Sequence, residues 1–160
     1  RDLCDQLDWL LMLDEVQTGN GRTGKYFYHQ HSGVTPDVIT TAKGLGNGMP
    51  IGACLASGNA AHLMQPGNHG STFGGNPLAC SVALKVVELL ESGDIYERAT
   101  AIGDIIMQGL ASELKDVEHV KDIRGSGCMI GVELTKPCKS LYTEALKQGL
   151  IINVTALISP

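Results

Sequence analysis

The chain has 160 residues, 43% of them hydrophobic, and a formal net charge of −5, which is enough apolar material for one core of ordinary domain size. The acidic balance and the lack of a basic patch with interleaved aromatics argue against a nucleic-acid partner, and no apolar run reaches the roughly 18 residues of a membrane span. No secretory leader appears, and because the chain opens on Arg1 that absence carries no weight.

Residues 1–8 read as the tail of a helix. Residues 9–16 follow as a buried strand, in which the run Trp9-Leu10-Leu11-Met12-Leu13 ends in Asp14-Glu15-Val16-Gln17, so an apolar strand carries a carboxylate to its end. Residues 38–42 form a second, β-branched strand that delivers Lys43 straight into the turn Gly44-Leu45-Gly46-Asn47-Gly48. The strand fixes the backbone, the glycines admit close neighbours, and partial desolvation favours a nucleophilic amine. Residues 51–57 read as a third strand.

A strand-end acid and a strand-end amine are what pyridoxal phosphate requires. A carboxylate keeps its pyridine nitrogen protonated, and a lysine holds its aldehyde as a Schiff base. Ligands of an open α/β sheet collect outside the carboxyl ends of its strands, so Asp14 and Lys43 are expected to converge there. The plainer alternative, a turn-forming Asp and a solvated Lys, predicts the same strand ends.

Further along, His69-Gly70-Ser71-Thr72-Phe73-Gly74-Gly75 sets two hydroxyls in a glycine-flanked loop, which suits a phosphate, although an ordinary Ser-Thr turn before a helix is the commoner use of such a pair. His69 is placed near the cofactor by its proximity to Ser71 and Thr72. Pro77 opens an amphipathic helix over residues 77–90, stopped near Ser92-Gly93, and residues 95–114 carry a second 3.6-residue period. These helices read as a bridge between domains or as an αα-hairpin on the core. From Val117 the character changes to a glycine-punctuated strand (120–134), a helix (140–148) and a short strand (150–154). The expected organisation is a large domain over 1–115 and the start of a small one over 116–160. Arg124 invites a carboxylate, although a glycine-flanked arginine more often bonds backbone carbonyls nearby.

The five cysteines are odd in number and widely spaced, which reads as reduced thiols, mostly small core residues, in a cytoplasmic protein. His29 and His31 have no third ligand at metal spacing and read as a surface loop without a metal.

A rival reading comes from Gly19-Asn20-Gly21-Arg22-Thr23-Gly24-Lys25, which fits the first seven positions of a nucleotide-binding P-loop. Tyr26 stands where a magnesium-holding hydroxyl belongs, residues 27–33 are too short and glycine-bounded for the required helix, and the acidic strand precedes the loop instead of following it.

Four long stretches in order, Leu13-Asp14-Glu15-Val16-Gln17-Thr18-Gly19-Asn20-Gly21-Arg22-Thr23-Gly24, Thr35-Pro36-Asp37, residues 42–52 and residues 69–79, together resemble class III, ornithine-type aminotransferases, and within that class the acetylornithine aminotransferases. The resemblance runs from the first residue to about Thr155. It implies an α/β fold of the PLP-dependent, aspartate-aminotransferase type (fold type I), here the second half of the large domain and the opening of the small one. It also implies a cofactor set in which Asp14 pairs with the pyridinium nitrogen, Glu15 lies within the same segment, Val16 packs on the ring face and Gln17 bonds the ring's phenolic oxygen. Lys43 would carry the aldehyde and then serve as general base and acid. Thr72 would reach the partner's cofactor phosphate across a homodimer interface, and Ser71 would touch substrate. The implied reaction moves an amino group from N-acetylornithine to 2-oxoglutarate in arginine biosynthesis, with ornithine, succinylornithine and 4-aminobutyrate as related donors.

The family's upstream phosphate-cradling loop, ring-stacking aromatic and a substrate arginine have no counterpart here. Nor does the downstream arginine for the α-carboxylate, and residues 156–160 do not match the family's continuation. The 160 residues alone are therefore expected to be inactive and to expose sheet edges and apolar surface. A non-catalytic remnant is the third alternative.

Overall fold

The computed structural model describes residues 1–155, so the expectation for 156–160 lies outside the described residues. The chain divides into two compact units, one made of Arg1–Asp104 and Ser126–Met129, the other of Ile105–Gly125 and the residues from Ile130 onward.

In the first unit a short helix α1 (Asp2–Gln6) precedes a three-stranded sheet of order β1-β2-β3, built from Met12–Asp14, Val38–Thr41 and Ala53–Ala56. β1 and β2 are parallel, pairing Met12 with Val38, Leu13 with Ile39 and Asp14 with Thr40. The Glu15 amide extends the ladder by donating to the Thr40 carbonyl at 2.9 Å. β3 runs antiparallel to β2, with Thr41 opposite Ala53. The other end of the β1–β2 pair is tied by Asp37, whose Oδ2 accepts from the Leu11 amide at 2.7 Å and from Arg1 Nη1 at 2.6 Å.

Only the central strand is buried as expected. Val38 and Thr41 are closed off, whereas the strand expected over 9–16 contracts to three residues, and Met12 is 63% exposed. The physical reason is position: β1 is an edge strand of this sheet, and it leaves Met12 open and Leu13 only half-buried. The cysteines depart from expectation for a similar reason. All five are free, Cys54 and Cys80 are exposed and the rest half-buried, Cys54 because it sits on the uncovered β3.

α2 (Pro77–Ser92) begins as the sequence suggests, with Pro77 in the first turn and the Asn76 side chain accepting from the Ala79 amide at 3.0 Å. Its Ala79, Ala83 and Leu90 are buried, and it packs on the short 3₁₀ turn Lys43–Leu45, where Leu45 is buried too. α3 spans Ile95–Glu113.

The expected single strand over 120–134 is two, β4 (Val120–Ser126) and β5 (Met129–Leu134), which pair in one sheet. A two-residue connection permits only an antiparallel pair, and Gly127 at φ +51° makes that turn. In the second unit Lys121 and Arg124 of β4 both reach Glu133 of β5, and Arg124 also bonds Asp122, so its partners are side-chain carboxylates and not the expected carbonyls. α4 (Ser140–Lys147) follows. Residues 150–154 form no strand, because they have no partner strand among the described residues; the Leu150 amide instead closes the helix end on the Ala145 carbonyl at 2.9 Å.

Candidate active site

Two parallel strands side by side bring their carboxyl ends to the same edge of the sheet, and here that edge carries Asp14 and, three residues beyond its partner Thr40, Lys43. Asp14 is exposed. Its Oδ1 accepts from the Val16 amide at 2.9 Å and from the Thr40 hydroxyl at 3.3 Å. The first contact is the local turn that a strand-end Asp commonly makes. The second ties the acid to the strand that carries the amine. Among the described residues Oδ2 accepts nothing, which leaves it for a cationic N–H.

Lys43 is exposed, so the described residues do not supply the partial desolvation expected from sequence. Its backbone is unusual instead. At φ +48° it lies in the left-handed region, where a side chain carries a steric cost, and such strain concentrates at functional sites. The turn is gripped from outside by Asn20, whose Nδ2 donates to the Thr41 hydroxyl at 3.0 Å and to the Ala42 carbonyl at 3.1 Å.

Glu15 faces away from Asp14, as successive strand-end residues do. It is 3% exposed. One oxygen accepts from the Thr18 hydroxyl and, at 2.8 Å, from the Tyr28 amide; the other accepts from the His29 amide at 2.9 Å and His29 Nδ1 at 3.1 Å. Burial pushes its pKa up, but the hydrogen bonds from Thr18, His29 and Tyr28 outweigh that and hold it below the ordinary carboxylate range. His29, read from sequence as loop surface, is thus a working part of this lock. The signal available was the carboxylate directly after Asp14, which strand alternation turns inward, but nothing in the spacing named its partner.

Val16 is half-buried and Gln17 exposed. Ser71 and Thr72 lie in an exposed loop, where the Ser71 hydroxyl accepts from the Gly74 amide at 3.1 Å; no hydrogen bond among the described residues joins them, or the exposed His69, to Asp14 or Lys43. The P-loop alternative fails on its amides. Those of Gly19, Gly21 and Gly24 donate to the carbonyls of Glu15, Tyr26 and Gly21, and Thr23 is buried, so the loop is closed on itself and offers no concave row of N–H groups. The segment after Lys25 makes only the 3₁₀ turn Tyr28–His31.

The donor set fits pyridoxal phosphate: an exposed acid with one uncommitted oxygen, an exposed primary amine, and both at adjoining ends of parallel strands.

The sequence profile described as aminotransferase class-III matches residues 1–157. The acetylornithine aminotransferase of Nitrosomonas europaea is 54% identical over 156 residues, covering 98% of this chain and 40% of that protein. The chain thus spans about two fifths of the length of the curated relatives it matches. The solved ornithine δ-aminotransferase of Plasmodium falciparum superposes with a TM-score of 0.88 at 37% identity, over 96% of this chain and 41% of that one. That of Toxoplasma gondii, with partial occupancy of PLP at its active site, gives 0.86 at 35% identity, over 94% and 37%.

Proposed function

Because the chain belongs to the class III aminotransferases, we propose that it contributes the acid and the amine of a pyridoxal-phosphate site to an enzyme that transfers an amino group from N-acetylornithine to 2-oxoglutarate. The observation that supports this reading is that Asp14 and Lys43 follow neighbouring parallel strand ends, Asp14 bonded to Thr40 and the turn that leads into Lys43 bonded to Asn20.

In that reading Asp14 holds the ring nitrogen through its uncommitted oxygen, Val16 and Gln17 line the ring, and Glu15, turned inward, anchors the segment. When bound, the cofactor supplies an electron-withdrawing cationic ring next to the substrate's α-carbon. Lys43 would hold the cofactor through its amine, and the same Nζ would serve as the base that takes a proton from the substrate's α-carbon and as the acid that gives it back. The α-proton is acidified by the same positive charge that Asp14 maintains, so acid and amine act as a unit. Ser71 and Thr72 serve substrate and the partner's cofactor phosphate in a homodimer. Residues 1–115 belong to the large domain and 116–160 open the small one, and the enzyme works in the cytoplasm in arginine biosynthesis.

The test ranks N-acetylornithine, ornithine, succinylornithine and 4-aminobutyrate as donors by kcat/KM in the full-length enzyme. N-acetylornithine is expected to lead, and a different leading donor overturns the substrate. The isolated 160 residues are expected to give no turnover, and measurable transamination by them refutes that part.

A further inference from the structure

Outside the residues already assigned, the side chain that couples the two halves of the site is Asn20. It stands at φ +57° in the loop that follows Asp14, and it reaches across to the end of β2. The Ala42 carbonyl can only accept, so the atom facing it is the amide nitrogen, and the same nitrogen bonds the buried Thr41 hydroxyl. Its Oδ1 is buried with no partner among the described residues. An unsatisfied buried oxygen is costly, so the two donated bonds and the packing must hold the amide in place. The packing is close: a Cβ added to Gly44 would lie 3.1 Å from Asn20 Cβ, so the residue after Lys43 needs to be small for the two loops to touch. Asn20 therefore contacts Thr41, Ala42 and the Gly44 position, on both sides of a lysine whose own backbone sits in an unfavourable region.

We propose that Asn20 is a positioning residue that sets the direction of the Lys43 side chain relative to Asp14, through the Ala42–Lys43 peptide. The inference rests on the pyridoxal-phosphate reading above. A carbonyl gripped at Ala42 fixes the plane of the peptide that leads into Lys43, and with it the exit of the side chain. Without that grip Lys43 is free to relax toward φ values that side chains prefer, which turns the amine away from a ring held by Asp14.

The experiment uses the full-length apoenzyme with added pyridoxal phosphate, quenched at intervals with borohydride, and reads the label on the Lys43 peptide by mass spectrometry. Asn20→Gly removes the side chain while suiting the left-handed backbone, and Asn20→Asp keeps the shape but sets an acceptor against the Ala42 carbonyl. Both are expected to slow Lys43 labelling by about tenfold or more, the worth of one lost hydrogen bond, while labelling of the exposed Lys85 is unchanged. Labelling of both variants at the wild-type rate overturns the inference, whatever happens to their melting temperatures. Should Asn20→Gly fail to fold, Asn20→Asp carries the test, and failure of both to fold overturns the inference by making Asn20 a fold residue. Absence of Lys43 label in the wild type instead defeats the cofactor reading itself.

Discussion

Asp14 and Thr40 face one another across the β1–β2 ladder, and the Thr40 hydroxyl donates to the Asp14 carboxylate at 3.3 Å. The contact orients the acid without neutralising it. In the full-length enzyme Asp14→Asn keeps the shape and the turn but removes the charge proposed to hold a ring proton. Turnover is expected to fall by about 10²–10³, as for the loss of one group aimed at developing charge, with the unfolding midpoint little changed. Steady-state kinetics beside urea unfolding checks both halves, and near-normal turnover would contradict the role.

Lys43→Ala removes the amine. Loss of a general acid–base group costs on the order of 10²–10⁴ in rate, and the proposed covalent hold on the cofactor goes as well. The expected result is a loss of turnover at or beyond the upper end of that range, with cofactor retained only weakly on gel filtration.

Glu15 bears on stability. Replacing it with Ala leaves the Thr18 hydroxyl and the Tyr28 and His29 amides unpaired in a part-buried setting, with an expected loss of about 3 kcal/mol. Its pKa is depressed in the fold, so the charge contributes fully above the ordinary carboxylate range, and that contribution is lost as pH falls through the lowered value. The difference in unfolding free energy between wild type and Glu15→Gln should shrink on acidification. A gap that widens at low pH contradicts the assignment.

How much of this was legible from residues alone differs between the site and its surroundings. Asp14 and Lys43 stood out because each ends an apolar run, and a strand's end is where an open sheet presents chemistry. The helix at Pro77 was equally plain from Pro77 itself and the closing Ser92-Gly93. Exposed sheet edges were expected of the 160 residues as a whole, but not at which strand, since Trp9 to Leu13 reads the same whether or not anything covers β1. The β4–β5 turn was hidden because Gly125, Gly127 and Gly131 punctuate one continuous apolar pattern. The Glu15–His29 and Asn20–Ala42 contacts join residues 14 and 22 positions apart, and no local period encodes such pairs.

Gly103 supplies a packing test. A Cβ there would fall 2.2 Å from the Gly127 carbonyl oxygen, and backbone cannot yield as a flexible side chain can. Gly103→Ala is expected to cost about 1–3 kcal/mol, as overpacking does, read from urea unfolding. An unchanged midpoint would mean the two segments are not in contact.

The most direct measurement is a crystal structure of the full-length enzyme loaded with pyridoxal phosphate. The account predicts an Asp14 carboxylate oxygen about 2.8 Å from the ring nitrogen and continuous density from Lys43 Nζ to the aldehyde carbon. A cofactor held by another acid or another lysine, with Asp14 and Lys43 facing different spaces, contradicts it.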